Sequence, residues 1–167
     1  MLNKNIKYLP ILSLILSLLL LFSIVFPTFS SEGENVMNGI QATFGGNVGS
    51  VGDFASAEVN FSILNFIAFF LPAIIALIFT IYRLRNPKNK TPNNILNWVL
   101  SVVFIVSVFF IAYLPKHTTM TFTLFGNQIT GDYVGANLAI GGVLALVFAI
   151  LGAISAIVFG VLQLRKD

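Results

Sequence analysis

The sequence has no cysteine, one histidine and one tryptophan among its 167 residues, and only 9% of them are charged. The lack of cysteine excludes disulfides, thiolate metal sites and a cysteine nucleophile, and one histidine cannot build a multi-histidine metal centre. The charged fraction is far below the roughly 25% of an ordinary soluble domain. By contrast, 57% of the residues are hydrophobic and the mean hydropathy is +0.93. This composition predicts an integral membrane protein.

Four apolar stretches are long enough to cross the hydrocarbon core of a bilayer, which takes about 20 helical residues. They cover residues 8–26, 61–82, 95–114 and 133–164. The last stretch is longer than a crossing requires, so we place its lipid-buried part at residues 138–162. The predicted fold class is an all-α membrane protein, with residues 1–167 forming one domain around a four-helix transmembrane bundle. The connecting loops are then residues 27–60, 83–94 and 115–132.

Positive charge marks one side of this predicted bundle. Eight of the nine Lys and Arg residues lie near the termini or in the 83–94 loop, and cytoplasmic flanks are the ones that retain such residues. The other two loops contain only Lys116 and all the acidic residues except Asp167. Aromatic residues with a polar edge fall at the predicted boundaries, as they do in membrane proteins: Tyr8, Tyr82, Trp98, Tyr113 and Tyr133. We therefore predict a multi-pass membrane protein with both termini in the cytoplasm, and the frequent Asn, Ile and Lys residues favour an AT-rich bacterial genome.

The first stretch has a second interpretation, as a cleaved signal peptide. Lys4 and Lys7 form a basic start, and Thr28 and Ser30 are small residues suited to a cleavage site before Ser31. The apolar segment of about 19 residues is longer than the usual 7 to 15 of a signal peptide, which favours a retained helix. Cleavage would leave three spans in the same orientation.

The fourth stretch is rich in small residues at four-residue spacing. Small residues let helix backbones approach closely, which is the main source of helix packing in lipid. Two such rows run along this stretch, and they comprise Gly141, Ala145, Ala149 and Ala153 in one row and Gly152, Ala156 and Gly160 in the other. Packing against the other three helices is the favoured interpretation, and self-association through the same residues is the alternative.

The predicted spans contain no Asp, Glu, Lys, Arg or His, which argues against a proton-coupled carrier, a pump or a voltage sensor. Their polar residues include Asn65 and Asn137, each four residues inside the end of a span that enters from the same side. We expect a hydrogen bond between these two amides. Pro72 lies near the centre of the second span and is expected to kink it.

The 115–132 loop carries the clearest strand signal. Residues 119–124 alternate threonine with apolar residues, and Gly126 and Asn127 suit a two-residue hairpin turn, which would pair Leu124 with Ile129 and Thr123 with Thr130. Residues 40–44 also alternate in a β-like pattern and are predicted to add a third strand from the first loop. The fold is thus expected to include a small extracytoplasmic sheet built by both outer loops.

Other motifs give no catalytic, cofactor or metal site. The glycines between residues 45 and 52 match neither the Walker pattern nor the dinucleotide fingerprint, and a flexible connection is expected there. No serine of the spans has a histidine and carboxylate partnership, so a hydrolase triad is not supported.

The loop between the second and third spans contains a basic cluster. It is expected to attract anionic lipid headgroups, with about 1 kcal/mol for each charge near the surface. The cluster comprises Arg83, Arg85, Lys88 and Lys90. Nucleic acid is not an expected partner, because the basic residues lie in short groups between apolar runs and form no stripe on a folded face.

In outline, with four helices, cytoplasmic ends and a sheet shared by two outer loops, this arrangement resembles the claudin-like tetraspan architecture. The claudin pattern of tryptophans and two cysteines in the first outer loop is absent, because the chain has no cysteine and its only tryptophan is Trp98. The resemblance therefore implies topology alone. We expect a non-enzymatic structural or accessory membrane protein whose partners are the bilayer and a membrane protein or a second copy. The alternative is a small oligomeric pore or transport component.

The orientation can be tested directly, because the chain contains no cysteine of its own. Lys88→Cys is expected to react with a membrane-impermeant maleimide only after the cells are opened, whereas Asn127→Cys is expected to react in intact cells. Labelling of Lys88→Cys from outside would refute the predicted topology.

Overall fold

The computed structural model describes residues 9–52, 54–86, 90–132 and 136–164. Four helices make up most of it. They are α1 (Leu9–Phe22), α3 (Ile63–Arg85), α4 (Lys90–Ala112) and α5 (Ile140–Leu164). A 3₁₀ turn (Ser23–Val25) continues α1, and a short fifth helix, α2 (Gly39–Phe44), precedes α3.

Three of these helices, α3, α4 and α5, are long and apolar enough to span a membrane. Helix α1 is equally apolar but shorter in the described residues, because its α-helical part ends at Phe22. The chain then enters an extended segment at Pro27, whose fixed φ and missing N–H do not continue a helix. A membrane location is therefore compatible with the structure, and the fourth span stays a prediction.

Each long helix packs against two neighbours in the cyclic order α1, α3, α4, α5. Large aromatic side chains fill the space between them, and those with at most 1% exposure are Phe69, Phe79, Phe104 and Phe159. The Phe79 and Phe159 rings meet edge to face across the bundle at 6.2 Å. The interior of a single copy is thus occupied by side chains. Both sheets described below lie at one end of this bundle, called here the sheet end; the opposite end, where α3 ends and α4 begins, is called the loop end.

A three-stranded antiparallel sheet joins the segment after α1 to the segment before α5. Its strand order is β2 (Glu34–Asn38), β1 (Pro27–Ser31) and β7 (Asn137–Leu138). In β7, Asn137 pairs with Ser30 and Leu138 with Phe29, and the Ala139 N–H donates to the Thr28 carbonyl at 2.8 Å. The prediction that the last helix includes Asn137 is therefore wrong, because these backbone groups belong to a sheet and α5 begins at Ile140.

A four-stranded antiparallel sheet has the strand order β3 (Gly46–Val51), β4 (Ala55–Val59), β5 (Thr119–Leu124) and β6 (Asn127–Asp132). The predicted hairpin is confirmed, but its register is shifted by two residues. The turn consists of Phe125 and Gly126, both with positive φ, so Leu124 pairs with Asn127. Thr121, rather than Thr123, pairs with Thr130, and their hydroxyl oxygens are 3.0 Å apart. A two-residue turn with positive φ at both positions matches the twist of a hairpin, which fixes this register.

The predicted strand at residues 40–44 is wrong, because the segment is helix α2. Asn38 caps it: the Gln41 N–H donates to the Asn38 side chain at 2.9 Å, and the Asn38 N–H donates to the Gln41 side chain at 3.2 Å. This reciprocal capping box outweighs the alternating pattern. The first loop still supplies a partner for the hairpin, but it is β4, which also pairs with β3. The glycine-containing stretch that was expected to be flexible is mostly strand β3.

Gly45 and Gly46 offer a matched test of this arrangement, since both have positive φ. A Cβ at Gly45 would lie 2.5 Å from the Val59 carbonyl oxygen, whereas a Cβ at Gly46 would meet no atom within 4 Å. Gly46→Ala is expected to lower stability by about 1 kcal/mol for its backbone conformation alone. Gly45→Ala should lower stability clearly more than Gly46→Ala does. The unfolding midpoints of both variants in detergent measure the difference. Equal losses would mean that Gly45 does not touch the end of β4.

Candidate functional site

A buried polar hub at the sheet end connects three segments of the chain. It centres on Asn65, which lies in the first turn of α3 and has no exposed surface. Its Nδ2 atom donates to the Ala42 carbonyl at 2.8 Å and to the Thr118 Oγ1 atom at 2.9 Å. Thr118 in turn donates to the Leu114 carbonyl at 3.0 Å. One amide therefore ties α2 and the segment after α4 to the start of α3.

Ser62 completes the hub as the N-cap of α3. Its hydroxyl accepts from the Asn65 N–H at 3.3 Å and donates to the His117 carbonyl at 2.7 Å, while its own N–H donates to the Thr43 carbonyl at 3.0 Å. A capping side chain supplies partners that the first turn of a helix lacks. Here the same side chain also fixes the position of the strand β5, which begins two residues after His117.

The expected hydrogen bond between Asn65 and Asn137 is wrong. The Asn65 amide donates to Ala42 and Thr118, and Asn137 is exposed in strand β7. The partners of Asn65 come from loop segments that the sequence pattern did not associate with it. The serine three residues before Asn65 was a usable signal, since that spacing is typical of an N-cap.

The hub positions segments of the chain through neutral polar groups. Two of its buried oxygen atoms, Asn65 Oδ1 and Thr43 Oγ1, have no hydrogen-bond partner among the described residues. The groups that form the hub are amides, hydroxyls and carbonyls, and His117 contributes only its carbonyl oxygen. The His117 ring packs edge to face on Phe110 at 5.7 Å. Within the described ranges, no group of three or more His, Asp or Glu side chains is placed to hold a metal ion.

The small residues of α5 face the other helices. Ala145, Ala149 and Ala156 have no exposed surface, and Ala153 is 7% exposed. A Cβ at Gly152 would overlap the Phe104 ring of α4. Near the start of α5, a Cβ at Gly141 would lie 2.7 Å from the Pro27 carbonyl oxygen. Near its end, a Cβ at Gly160 would lie 2.9 Å from Asn97 Nδ2. These residues therefore permit close packing within one copy of the chain.

At the loop end, the two arginines of the predicted basic cluster lie in different surroundings. The Arg83 guanidinium is turned inward and lies 4.4 Å from the centroid of the Phe159 ring, whereas Arg85 is exposed. Close by, Asn97 is 1% exposed and its Nδ2 atom donates to the Ala156 carbonyl at 2.9 Å. The described residues do not include Lys88 or the side chain of Lys90. Pro72 is buried inside α3, and its expected kink stays a prediction.

The four-stranded sheet has one apolar and one polar face. The apolar sheet face carries Val51, Ala55, Ala57, Val59, Met120, Phe122, Leu124 and Ile129, and the same face also includes Gly49, Gly131 and the polar Asn127. The polar sheet face carries the residues between them: Ser50, Ser56, Glu58, Thr121, Thr123, Gln128 and Thr130. Near the bundle the apolar face is covered, because Val59 and Met120 are each 4% exposed and belong to the core. Farther out it is open.

Comparisons with protein-family models, with curated proteins and with solved structures found no match for this chain.

The hub predicts different consequences for the two asparagines. Asn65→Leu is expected to destabilise the protein by about 1–3 kcal/mol, because it removes two hydrogen bonds and leaves the Ala42 carbonyl buried without a partner. Asn137→Leu should change stability by less than about 0.5 kcal/mol, as exposed substitutions usually do. Chemical unfolding in detergent micelles measures both. A double-mutant cycle should show coupling of Asn65 with Thr118→Val and none with Asn137→Leu, and the reverse pattern would refute the hub.

Proposed function

We propose that this chain is a non-enzymatic structural or accessory protein of the cell membrane. In this proposal α1 is a fourth span, both termini are cytoplasmic, and the sheet end is extracytoplasmic. The protein acts through contacts inside the membrane and at the outer sheet.

The surface of α1 supports its assignment as a span. Ser13 Oγ lies 3.1 Å from Ser155 Oγ of α5, and Leu20 has no exposed surface, so one face of α1 belongs to the bundle. The opposite face exposes large apolar side chains along its whole described length: Ile11, Ile15, Leu18, Phe22 and Val25. A continuous apolar surface of this kind is stable in lipid and unfavourable in water.

The orientation follows from the charges at the two ends. The chain termini and the 83–94 loop contain eight of the nine Lys and Arg residues, and the 27–60 and 115–132 loops contain Lys116 with five acidic residues. Cytoplasmic flanks retain positive charge, which supports an extracytoplasmic sheet.

The exposed edge strand β6 of the four-stranded sheet is the main support for the proposed role in protein contacts. All six residues of β6 are exposed, and among the described residues no strand pairs with its outer side. An open edge offers unpaired backbone N–H and C=O groups to a strand of another protein. The polar sheet face beside it presents hydroxyls and amides, such as those of Thr123 and Gln128. These groups suit hydrogen-bonded protein contacts.

The second candidate function is a small oligomeric pore or transport component. Phe69, Phe79, Phe104 and Phe159 occupy the interior of one copy, so a conducting path would have to form between copies. The exposed faces of the helices would provide the contacts. Mass measurement in detergent and conductance in liposomes discriminate the two functions, since only the second one requires a conducting oligomer.

A photo-crosslinking amino acid at Gln128 tests the proposed role in native membranes. It is expected to give a discrete protein adduct, because Gln128 lies on the open edge strand. The control position is Ile154 on α5, which is 52% exposed and expected to face lipid. If no protein adduct forms at Gln128 and the purified protein conducts ions, the accessory function is refuted and the pore function is favoured.

A further inference from the structure

The far end of the four-stranded sheet carries two exposed aromatic rings that are held together. Phe54 and Phe125 lie in the β3–β4 and β5–β6 turns, and their ring centroids are 6.1 Å apart. The Phe125 N–H donates to the Phe54 carbonyl at 2.9 Å. Phe125 is 80% exposed and Phe54 65% exposed, so the pair, called here the sheet tip, projects from the protein.

The backbone at the sheet tip makes an aromatic residue unexpected there. Phe125 has φ +50°, a conformation that turns of this kind usually give to Asn, Asp or Gly. A β-carbon is disfavoured in this region, so the turn tolerates strain in order to present a phenyl ring to its surroundings. A strained residue with an exposed apolar side chain points to a use for that side chain.

The apolar sheet face continues from the tip towards the bundle. Val51 is 73%, Ile129 65% and Leu124 51% exposed, and the face then reaches Met120, which packs into the core. Its open part forms a groove of about 550 Å³ with small residues such as Ala57 at its floor. Since Met120 faces the core, the whole apolar face is directed to the same side of the sheet as the bundle contact.

The size of this face favours lipid over a protein partner. Four strands about 4.8 Å apart and about 20 Å long give a face of roughly 400 Å², part of which the bundle covers. A specific protein interface takes about 800 Å² from each partner. The described residues of the tip and of the apolar face include no basic side chain that could attract anionic headgroups. Apolar insertion, rather than attraction to anionic headgroups, is therefore the available driving force.

The bilayer that surrounds the helices is also within reach. Three residues separate the end of β4 at Val59 from the start of α3, and six residues separate the end of α4 at Ala112 from the start of β5 at Thr119. A sheet standing upright would leave Phe122 and Ile129 in water. A sheet leaning onto its own membrane would cover both the tip and the face.

We propose that the outer sheet lies on the extracytoplasmic leaflet of its own membrane, with the apolar sheet face on the lipid and the rings of Phe54 and Phe125 inserted. This placement rests on the proposed membrane topology and is independent of the proposed partner. It leaves the polar sheet face and the β6 edge accessible from the aqueous side.

Fluorescence quenching in proteoliposomes tests this placement. The full chain carries either Leu124→Cys on the apolar face or Thr123→Cys on the polar face of the same strand, each labelled with an environment-sensitive fluorophore, in phosphatidylcholine vesicles. At position 124 the label is expected to be quenched by spin-labelled phosphatidylcholine and to be protected several-fold from iodide. At position 123 the preference for the two quenchers is expected to reverse. Because insertion is apolar, high salt should leave both results unchanged.

Three results would overturn the proposal. Equal iodide access at both positions would show a sheet in water. Protection at position 124 without quenching by spin-labelled lipid would indicate a protein or a second copy on this face. Quenching only when the spin-labelled lipid is in separate, added vesicles would indicate an opposed membrane. The double change Phe54→Ser and Phe125→Ser should remove the protection at position 124, and adducts at Gln128 report separately on the proposed partner.

Discussion

The side-chain amide of Asn65 holds the sheet end on the bundle. Two loops of unequal length leave the helices there, and neither has a disulfide to fix it. Because Asn65 sits without exposed surface in the first turn of α3, its Nδ2 atom reaches the short helix α2 on one side and Thr118 on the other. A buried amide left without partners is costly, so the three segments are stable only together. The four-stranded sheet, which draws strands from both loops, depends on this connection.

A different constraint shapes the rest of the bundle. If lipid surrounds the helices, burial of apolar surface between them gains little, and close contact must supply the stability instead. The structure shows such contact in two forms. Ala145, Ala149 and Gly152 bring the backbone of α5 close to its neighbours, and Phe104 fills the space that Gly152 leaves. The few buried amides that remain, such as Asn97, bond to a backbone carbonyl of the neighbouring helix.

Hydropathy was sufficient to predict α3, α4 and α5, because long apolar runs have few other interpretations. The alternating threonines also predicted the β5–β6 hairpin. Its register was missed, since Gly126 serves equally well as the first or the second residue of a two-residue turn, and the sequence gives no reason to place Phe125 at positive φ. The strand predicted at residues 40–44 was wrong for a local reason, because a capping box between Asn38 and Gln41 overrides a short alternating pattern.

The candidate site was harder to predict than the fold. The importance of Asn65 was visible as a polar residue in an apolar run, but its partners are a backbone carbonyl and a threonine from two different loops. Such partners have no signature in hydropathy. Asn137 was assigned to a helix because the apolar run around it continues into α5. The backbone of the same residues completes a sheet with β1, and main-chain pairing leaves no trace in composition.

The four-stranded sheet is apolar on one face and polar on the other, so its two faces favour different surroundings. A two-faced sheet is stable in water only if its apolar side is covered, and here the bundle covers just the part nearest Val59 and Met120. If the remainder lies on lipid, the sheet is held at a fixed angle to the bilayer and its polar face is turned outward. The same arrangement positions the β6 edge at the membrane surface. A partner approaching along that surface would then meet an open strand whose orientation is already fixed, which lowers the entropic cost of pairing. Under this proposal, the hub fixes the sheet on the bundle, the apolar face fixes the sheet on the membrane, and together they would set how the β6 edge meets a partner.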